Sequence, residues 1–305
     1  MNQTKKLPLT PLRIAVAFYG VFRAIPHTIP SIRANLLAPL EEAASLGLDV
    51  FLHVLHTPRL IDKRAEEDSV LDPFAFLAFN VTQRLCAFAV EDQRVVDTDH
   101  NLTGRAKVES EDKHNRALLR YQFYTTTSFL NIFRGTYSLF AVSKLVRAHE
   151  LNSGFQYTHL CFARPDILLS SAFRWRDFPF NLSDAVMTAS SQHYRGLNDR
   201  FAFGTRDVMF HLAQQFPFEA QRRQLPCRNS EQRRAGHLST FRPNVTVAFT
   251  PMCLIRVRSR GEAVQRDLHP RPERMSFAGL IQLMRPNIDN IKPCNRSLVN
   301  LQPKL

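Results

Sequence analysis

Short apolar runs alternate with longer amphipathic segments along most of this chain. Eight runs have the length and composition typical of strands: Arg13–Tyr19, Val50–Leu55, Leu85–Val90, Tyr157–Ala163, Ala185–Thr188, Phe201–Gly204, Val245–Ala248 and Leu254–Arg258. Apolar residues at helical spacing predict helices over Ser31–Leu46, Gly135–Glu150 and Thr205–Gln215. This alternation predicts an α/β fold with a mostly parallel, Rossmann-type sheet flanked by helices.

Length and composition favour a single domain. The chain has 305 residues, 44% of them hydrophobic, which is enough to bury a full core. The predicted elements place the domain at residues 13–260, between a basic N-terminal segment (1–12) and a basic C-terminal extension (261–305). Inside the domain, the charged stretch 91–116 is predicted to be a mobile loop, and a disordered insertion explains its composition equally well.

The segment LCFARPDILL, from Leu160 to Leu169, is the most informative in the chain. A buried strand is predicted to end there on Arg164-Pro165-Asp166, which leaves one guanidinium and one carboxylate at the strand end. Pro165 opposes helix formation and favours an extended residue before it. Because ligands of open α/β sheets bind at the carboxyl ends of strands, this is a candidate ligand site. A surface ion pair is the alternative interpretation.

Two other segments place polar residues beside predicted strands. The first strand ends at Gly20, and Arg23 follows three residues later. A glycine turn lets a ligand approach the backbone, and a guanidinium can bind a phosphate through two parallel hydrogen bonds. Asn198 and Asp199 precede the strand Phe201–Gly204, where the carboxylate could accept a proton from an attacking hydroxyl. Simple turns remain the alternative for both segments.

The order of these motifs resembles a known family. The first strand ends in G-x-x-R, a D-V-F-x-H strand follows at Asp49–His53, and Arg164-Pro165-Asp166 precedes N-D-R-F-A-F-G at 198–204. Ser230-Glu231 and His237-Leu238 on one helix and the late Ile255–Arg258 complete the set. Over about residues 13–260, the chain resembles the glycosyltransferase-like proteins of plants, algae and large viruses, which are related to bacterial lipopolysaccharide-synthesis transferases of the WavE type.

The resemblance implies a GT-A-like glycosyltransferase that moves a sugar from a nucleotide-sugar donor to an acceptor hydroxyl on a glycan or glycoconjugate. It implies that Asp199 is the catalytic base of an inverting reaction, and a retaining reaction stays open. The donor-binding residues that it implies are Gly20, Arg23, Arg164, Asp166 and Asn198.

One departure from the GT-A pattern concerns the metal. GT-A enzymes carry a D-x-D motif whose carboxylates hold Mn²⁺ or Mg²⁺ on the donor diphosphate. This chain has Arg164-x-Asp166, and a guanidinium can neutralise a diphosphate directly. Asp166 is therefore kept as a candidate metal ligand, with metal dependence left open. The rival interpretation is a non-catalytic carbohydrate- or anion-binding protein that retains the GT-A-like fold.

The net charge of +13 favours anionic partners. Nucleic acid is not predicted, because the arginines are dispersed and no recognition-helix, zinc-finger or aromatic RNA-binding motif occurs. Residues 256–305 carry ten Lys and Arg against four Asp and Glu, which favours a solvated basic tail or a peripheral contact with a membrane surface. The oligomeric state is not indicated.

The compartment is predicted from sequons. No apolar stretch reaches the roughly 18 residues of a membrane-spanning helix, and no secretory signal precedes the first strand. Six N-x-S/T sequons nevertheless occur, at Asn2, Asn80, Asn101, Asn181, Asn244 and Asn295. They indicate the Golgi or ER lumen, with an upstream anchor missing from this chain, while a cytoplasmic location stays open.

Other candidate chemistry is limited. The five cysteines contain no C-x-x-C, so neither a zinc site nor a redox motif is predicted. Cys161 is expected to be buried, and Cys227 and Cys253 are a candidate disulfide if the domain is lumenal. His53 and His56 are expected on opposite faces of a strand. Glu231 and His237, six residues apart on a helix, are treated as separate contacts.

Overall fold

A seven-stranded sheet flanked by helices forms the centre of the protein. The computed structural model describes residues 11–62, 67–82, 84–111, 125–190, 192, 196–221, 229–242, 244–264 and 267. The predicted α/β class and the mostly parallel sheet are confirmed, and the architecture is compatible with a Rossmann-like fold.

The strands differ from their predicted bounds by a few residues. They are β1 (Ile14–Gly20), β2 (Leu48–His56), β3 (Arg59–Asp62), β4 (Glu67–Val70), β5 (Leu85–Asp92), β6 (His159–Ala163), β7 (Ile167–Leu169), β8 (Ala185–Ala189), β9 (Phe201–Thr205), β10 (Thr246–Thr250) and β11 (Leu254–Arg256). The sequence pattern missed β3, β4 and β7, which are short and lie outside the central sheet.

Eight α-helices connect the strands within the described residues. They are α1 (Ile25–Ile32), α2 (Ala38–Ala43), α3 (Gln93–Asp99), α4 (Leu102–Glu111), α5 (Thr126–Ser153), α6 (Arg206–Ala213), α7 (Gln215–Gln221) and α8 (Ser230–Phe241). A π-helical turn, Arg33–Leu37, joins α1 to α2, and 3-10 helices span Ala75–Thr82 and Trp175–Asp177. None of the described helices has the length and apolar character needed to cross a membrane.

One strand runs against the others, and this positions the candidate site. The strand order is β10-β8-β9-β6-β1-β2-β5. All neighbours pair in parallel except β9, which is antiparallel to both β6 and β8. The start of β9 therefore lies at the same edge as the carboxyl ends of β1, β2 and β6. Residues 198–200, which precede β9, are brought to that edge.

The side chains of β1 alternate between two apolar layers. Ile14, Val16 and Phe18 pack with the helical segment 25–43 on one face of the sheet. Ala15 and Ala17 face the other layer, which includes α5 and α6. Because both faces are covered, β1 and β6 are buried almost along their whole length, as continuous apolar runs predict.

The predicted mobile loop over residues 91–116 is wrong in its described part. β5 runs to Asp92, and α3 and α4 come next. Asp92 caps α3 by accepting a hydrogen bond from the Arg94 N–H. Buried Val96, Leu102 and Ala106 anchor these helices to α5. These few apolar residues are spread among many charges, which hid the helical signal. Residues 112–116 lie outside the described residues.

Two helix bounds also differ from prediction. α5 begins at Thr126 rather than Gly135, because Thr125 and Ser128 form a capping box. The helical segment predicted from Ser31 already starts at Ile25, since the proline after Ile25 lies in the first turn, where it leaves no intrahelical hydrogen bond unmade.

The described residues beyond 260 continue the fold. Val257 bridges to Ala263, and the Arg258 N–H donates to the carbonyl of Glu262. Buried Asp267 pairs with Arg256, whose Nε lies 2.8 Å from Asp267 Oδ2. The boundary predicted at residue 260 therefore cuts through a packed segment. The rest of the predicted basic extension lies outside the described residues.

The central strand offers a test of this packing. Ile14 is fully buried on β1, whereas Ile61 on β3 is 57% exposed. Ile14→Val should lower the free energy of unfolding by about 0.5–1.5 kcal/mol, because it removes a packed methylene. Ile61→Val makes the same chemical change and should stay within about 0.5 kcal/mol of the parent. Urea denaturation measures both, and equal effects would contradict the assigned burial.

Candidate functional site at the carboxyl edge of the sheet

A buried carboxylate lies just beyond the end of β6. Asp166 has a side chain only 1% exposed, and two guanidinium groups surround it. Arg23 donates to Asp166 Oδ2 from Nε and Nη2, at 3.1 and 2.6 Å. Arg164 donates from Nε to Oδ1 at 2.9 Å and from Nη2 to Oδ2 at 2.7 Å. Both oxygens of Asp166 are therefore engaged by arginines.

The electrostatics of this group depend on its partners. Burial alone would raise the pKa of Asp166, but the positive charges and hydrogen bonds of Arg164 and Arg23 outweigh it and hold the pKa well below its usual value. Burial likewise opposes the charge on Arg164, and Asp166 reverses that effect by raising its pKa. The three groups are thus charged together, with a net charge of +1.

The ion pairs extend away from Asp166 through Arg23. Its Nη1 donates to Glu67 Oε2 at 2.9 Å, which commits its guanidinium to two carboxylates. Glu67 on β4 also lies 3.6 Å from Arg258 Nη1 and accepts a hydrogen bond from the Ser259 N–H. A line of alternating charges therefore connects β6, the loop after β1, β4 and the segment after β11.

Gly20 ends β1 with a φ of +108°, a conformation that favours glycine. Its N–H donates to Ser138 Oγ at 2.8 Å. Ser138 lies 2.7 Å from His53 Nδ1, and His53 Nε2 lies 2.9 Å from Glu91 Oε2. Since a carboxylate only accepts, Nε2 donates to Glu91, while Ser138 Oγ lies within hydrogen-bonding distance of both His53 Nδ1 and the His53 carbonyl. Ser138 and His53 are 0% and 1% exposed, so this set braces the turn rather than facing a substrate.

Glu91 closes that network at the end of β5. Tyr137 donates to the same oxygen, Oε2, at 2.7 Å. The hydrogen bond from His53, together with that from Tyr137, lowers the pKa of Glu91 to about 2 although burial opposes this. The carboxylate therefore stays ionised and holds the imidazole in one orientation.

Asn198 and Asp199 form the turn before β9. The Asn198 side chain is fully buried, and its Oδ1 accepts from the Arg200 N–H at 2.8 Å, which shapes the turn. The Arg164 N–H donates to the carbonyl of Arg200, so the turn sits beside the end of β6. The Asp199 side chain is 18% exposed. Its backbone carbonyl accepts a hydrogen bond from Tyr19 Oη at 2.6 Å.

The N-terminus of α8 packs against the same turn. The Leu197 N–H donates to the Glu231 carbonyl, and a Cβ on Gly196 would lie 2.0 Å from Glu231 C, so only glycine fits there. Arg234 is buried and donates from Nη1 to the Asn198 carbonyl at 3.2 Å. The side chain of Glu231, 4% exposed, points to this region and lies 3.6 Å from Arg200 Nη2.

Most of the residues singled out in the sequence meet at this edge. Gly20, Arg23, Arg164, Asp166 and Asp199 lie together, while the side chain of Asn198 is buried within the turn. The Arg23 guanidinium is already paired with the carboxylates of Asp166 and Glu67. Of the two arginines predicted to contact a phosphate, Arg164 is therefore the one still available, since its side chain is 32% exposed. The individual roles in donor binding and catalysis stay predictions.

Sequence reasoning missed several members of the cluster. Glu67 lies in a short strand with no motif, and Tyr19 reads as an ordinary strand residue. Glu231 was expected to make contacts separate from those of His237, but its partners, Arg200 and Ser230, were not predicted. Gly196 beside the Asn-Asp turn was the available signal, because a glycine before a polar turn indicates a close backbone approach.

Asp166 does not fit the role of metal ligand. Each of its oxygens already accepts from a guanidinium, and a divalent ion would have to displace those donors while facing two fixed positive charges. Among the described residues, no group of three His, Cys, Asp or Glu side chains is arranged to hold a metal ion.

The described cysteines are of two kinds, disulfide-bonded and free. Cys253 is disulfide-bonded, and Cys86 and Cys161 carry free thiols. Cys227, its candidate partner, lies outside the described residues, so that pairing stays a prediction. Burial strongly raises the pKa of Cys161, in keeping with a thiol inside β6.

The sequon residues Asn80, Asn101, Asn181 and Asn244 are all exposed, and Asn2 and Asn295 lie outside the described residues.

Comparison with known proteins adds no family assignment. No protein-family model matches this chain, and no curated protein matches it.

The buried ion pairs can be tested by charge removal. Asp166→Asn should lower the free energy of unfolding by about 3–5 kcal/mol, because it leaves Arg164 with a neutral partner and Arg23 with Glu67 as its remaining carboxylate. Asp68→Asn makes the same change in an exposed pair with Arg59 and should leave the denaturation midpoint unchanged. Similar midpoints for both variants would contradict the assigned geometry.

The same variant has a predictable pH dependence. The folded pKa of Asp166 lies below the unfolded value of about 3.9. Its contribution is therefore present above that value and is lost as the pH falls through the folded pKa. The stability difference between the parent and Asp166→Asn should be full at about pH 6 and shrink below about pH 4.

Proposed function

We propose that this protein is a GT-A-like glycosyltransferase that moves a sugar from a nucleotide-sugar donor to an acceptor hydroxyl. One observation carries the proposal: Gly20, Arg164 and Asp199 meet at the carboxyl edge of a mostly parallel sheet. Ligands of such sheets bind there. The resemblance to glycosyltransferase-like proteins of plants, algae and large viruses supports the same conclusion.

The roles are assigned from chemistry and exposure. Arg164 is partly exposed, so its guanidinium is placed to neutralise a diphosphate. Asp166 and Arg23 hold that guanidinium in position rather than contacting the donor. The Asp199 side chain is 18% exposed near Arg164 and acts as the base.

The transfer step forms one bond to the sugar and breaks another. The acceptor oxygen forms a bond to the anomeric carbon, and its O–H proton passes to Asp199. The bond between the anomeric carbon and the diphosphate oxygen breaks, and its electron pair leaves with the nucleoside diphosphate. The charge that develops on that leaving group is stabilised by Arg164.

A second candidate is a non-catalytic carbohydrate- or anion-binding protein with the same fold. The favouring observation is that both oxygens of Asp166 are engaged by arginines, which makes the strand end a fixed cationic surface. Such a surface binds anions without catalysing a reaction.

A donor panel separates the two. UDP-, GDP- and CMP-sugars are tested for hydrolysis and transfer with Mn²⁺ and with EDTA. We expect turnover of at least one donor, and turnover should persist in EDTA because the carboxylate available to a metal is committed to Arg164 and Arg23. Donor binding without turnover of any donor would support the second candidate.

Two variants should separate binding from chemistry. Arg164→Ala should weaken donor affinity about 10- to 100-fold, as the loss of a charged hydrogen bond does. Asp199→Asn should keep donor affinity and lower turnover by about 10² to 10⁴, the contribution of a positioned base. Calorimetry and initial rates measure the two effects.

Matched controls come from an exposed ion pair. Arg174→Ala and Asp177→Asn make the same changes in a pair whose side chains are 63% and 35% exposed. Both should retain parental affinity and turnover. Equal loss of affinity in Arg164→Ala and Asp199→Asn, with turnover of bound donor preserved, would contradict the assigned roles.

We further propose a lumenal location, in the Golgi or ER. The disulfide at Cys253 requires an oxidising compartment to persist, and four sequons are exposed. Basic residues near the C-terminus are proposed to contact the membrane surface peripherally.

The disulfide gives this location a stability test. Cys253→Ser should lower the free energy of unfolding by about 2–4 kcal/mol under oxidising conditions and have little effect in dithiothreitol. Cys86→Ser removes an exposed free thiol and should be neutral in both conditions. A Cys253→Ser protein as stable as the oxidised parent would contradict a structural disulfide and remove this support for the lumen.

A further inference from the structure

Two carboxylates near the start of β9, Asp199 and Glu231, share their partners. Arg200 Nη1 lies 3.6 Å from Asp199 Oδ1, and its Nη2 lies 3.6 Å from Glu231 Oε1. Ser230 Oγ donates to Glu231 Oε2 at 3.1 Å and also interacts with the Asp199 carboxylate. A hydroxyl donates one hydrogen at a time but can accept another, so Ser230 is placed to connect the two acids.

The two acids differ in exposure. The Asp199 side chain is 18% exposed and can meet a ligand, whereas Glu231 is 4% exposed and lies behind it at the start of α8. Glu231 is therefore too buried to contact a ligand directly.

The surrounding charges favour different protonation states for the two acids. Burial would raise the pKa of Asp199, but Arg200, Arg164 and Arg234 outweigh it and lower the pKa. Burial raises the pKa of Glu231, the charge of Asp199 raises it further, and Arg200 and Ser230 offset only part of this. A proton that enters the pair is therefore most stable on Glu231.

We propose that Asp199 and Glu231 act as one proton-sharing pair, in which Asp199 takes the proton of the acceptor hydroxyl and Glu231 receives it through Ser230. This catalytic step rests on the proposed glycosyl transfer. Glu231 is a positioning and proton-storing residue rather than one that contacts the substrate.

The transfer balances within three groups. The acceptor O–H proton moves to Asp199, whose new O–H then donates it to Ser230 Oγ while the original Ser230 proton moves to Glu231 Oε2. Asp199 ends as a carboxylate, Ser230 as a hydroxyl and Glu231 as a neutral acid. After the product leaves, the proton returns to solvent by the reverse path through Asp199.

This arrangement resolves a weakness of Asp199 as a base. Three arginines lower its pKa, so Asp199 alone would hold a proton poorly. Transfer to Glu231 couples the reaction to an acid whose neutral form is favoured by burial.

The first test needs no substrate. In protein labelled with ¹³C at glutamate carboxyls, the Glu231 signal is identified by its loss in Glu231→Gln. We expect it to titrate well above the ordinary glutamate pKa of about 4.3. Asp199→Asn should shift the midpoint downward, because it removes the negative charge that disfavours a second one. Titration near about 4.3, or no shift in Asp199→Asn, would overturn the shared proton.

A matched control is Glu219→Gln. Glu219 on α7 is also a buried acid whose pKa burial raises, and its partners are Gln215 and Arg233 rather than this pair. The Glu231 signal should therefore keep its midpoint in Glu219→Gln. A shift as large as that in Asp199→Asn would mean that general destabilisation sets the titration, which would overturn the pairing.

The second test uses turnover of a donor that the parent protein accepts. The parental rate should rise with pH as Glu231 loses its proton and then level off. Glu231→Gln should lower the rate at the plateau at least tenfold and remove this rise. Ser230→Ala, a small change next to the Asn229 cap, should move the Glu231 midpoint upward, because a hydrogen bond that lowers its pKa is lost, and should lower the rate at least tenfold.

The outcomes distinguish this inference from the proposed function. Absence of turnover by the folded parent would overturn the proposed function and this catalytic step, while the carboxyl titration would still decide whether the proton is shared. Turnover with an unchanged pH profile in Glu231→Gln would leave the transferase standing and overturn the role of the pair. Thermal unfolding verifies that each variant is folded.

Discussion

The neutralisation of one buried carboxylate, Asp166, is the constraint on which this edge of the protein depends. Removal of a carboxylate from water costs several kcal/mol unless positive charge and hydrogen bonds replace the solvent. Arg164 comes from the same turn, but Arg23 must be brought from the loop after β1. The Asp166 carbonyl also accepts from the Val257 N–H. The hydrogen bonds of this single residue therefore join three distant parts of the chain. Helix α1 is attached to the same turn, because Thr28 donates to the Pro165 carbonyl at 2.7 Å.

This constraint separates the features that could be predicted from those that could not. The strand ending on Arg164-Pro165-Asp166 was visible because buried strands are continuous apolar runs and proline restricts the backbone around it. The approach of residues 198–200 was less accessible, since it depends on β9 being antiparallel, and no periodicity reports strand direction. The partner of Arg23 on β4, Glu67, could not be found, because an ion pair across 44 residues leaves no local pattern.

The candidate site shows the same division. Exposed or strand-end residues such as Asp199 were recognised by type and position. Glu231 was noted as part of a motif but was given no role, because its contact with Arg200 arises from the packing of α8 against the turn at Gly196. At Gly196 it is the backbone that comes close to the backbone of Glu231. The sequence links these two residues only through the steric argument that a side chain at position 196 would not fit. The helices that replace the expected loop over 91–111 were hidden for another reason: their apolar anchors are too few to set a period.

A fixed cation changes the demands on the rest of such a site. A metal ion can leave with the diphosphate that it neutralises, whereas Arg164 is part of the chain and is held by Asp166. Arg200, Arg164 and Arg234 together lower the pKa of Asp199, which weakens it in its proposed role as a base. The proposed glycosyl transfer at an arginine-based site therefore needs a second group to store the proton. Glu231, buried and facing the charge of Asp199, meets that need because protonation removes an unfavourable buried charge. In the proposed mechanism, an arginine at position 164 takes the place of a metal ion, and the buried acid at position 231 compensates for the effect of that arginine on Asp199.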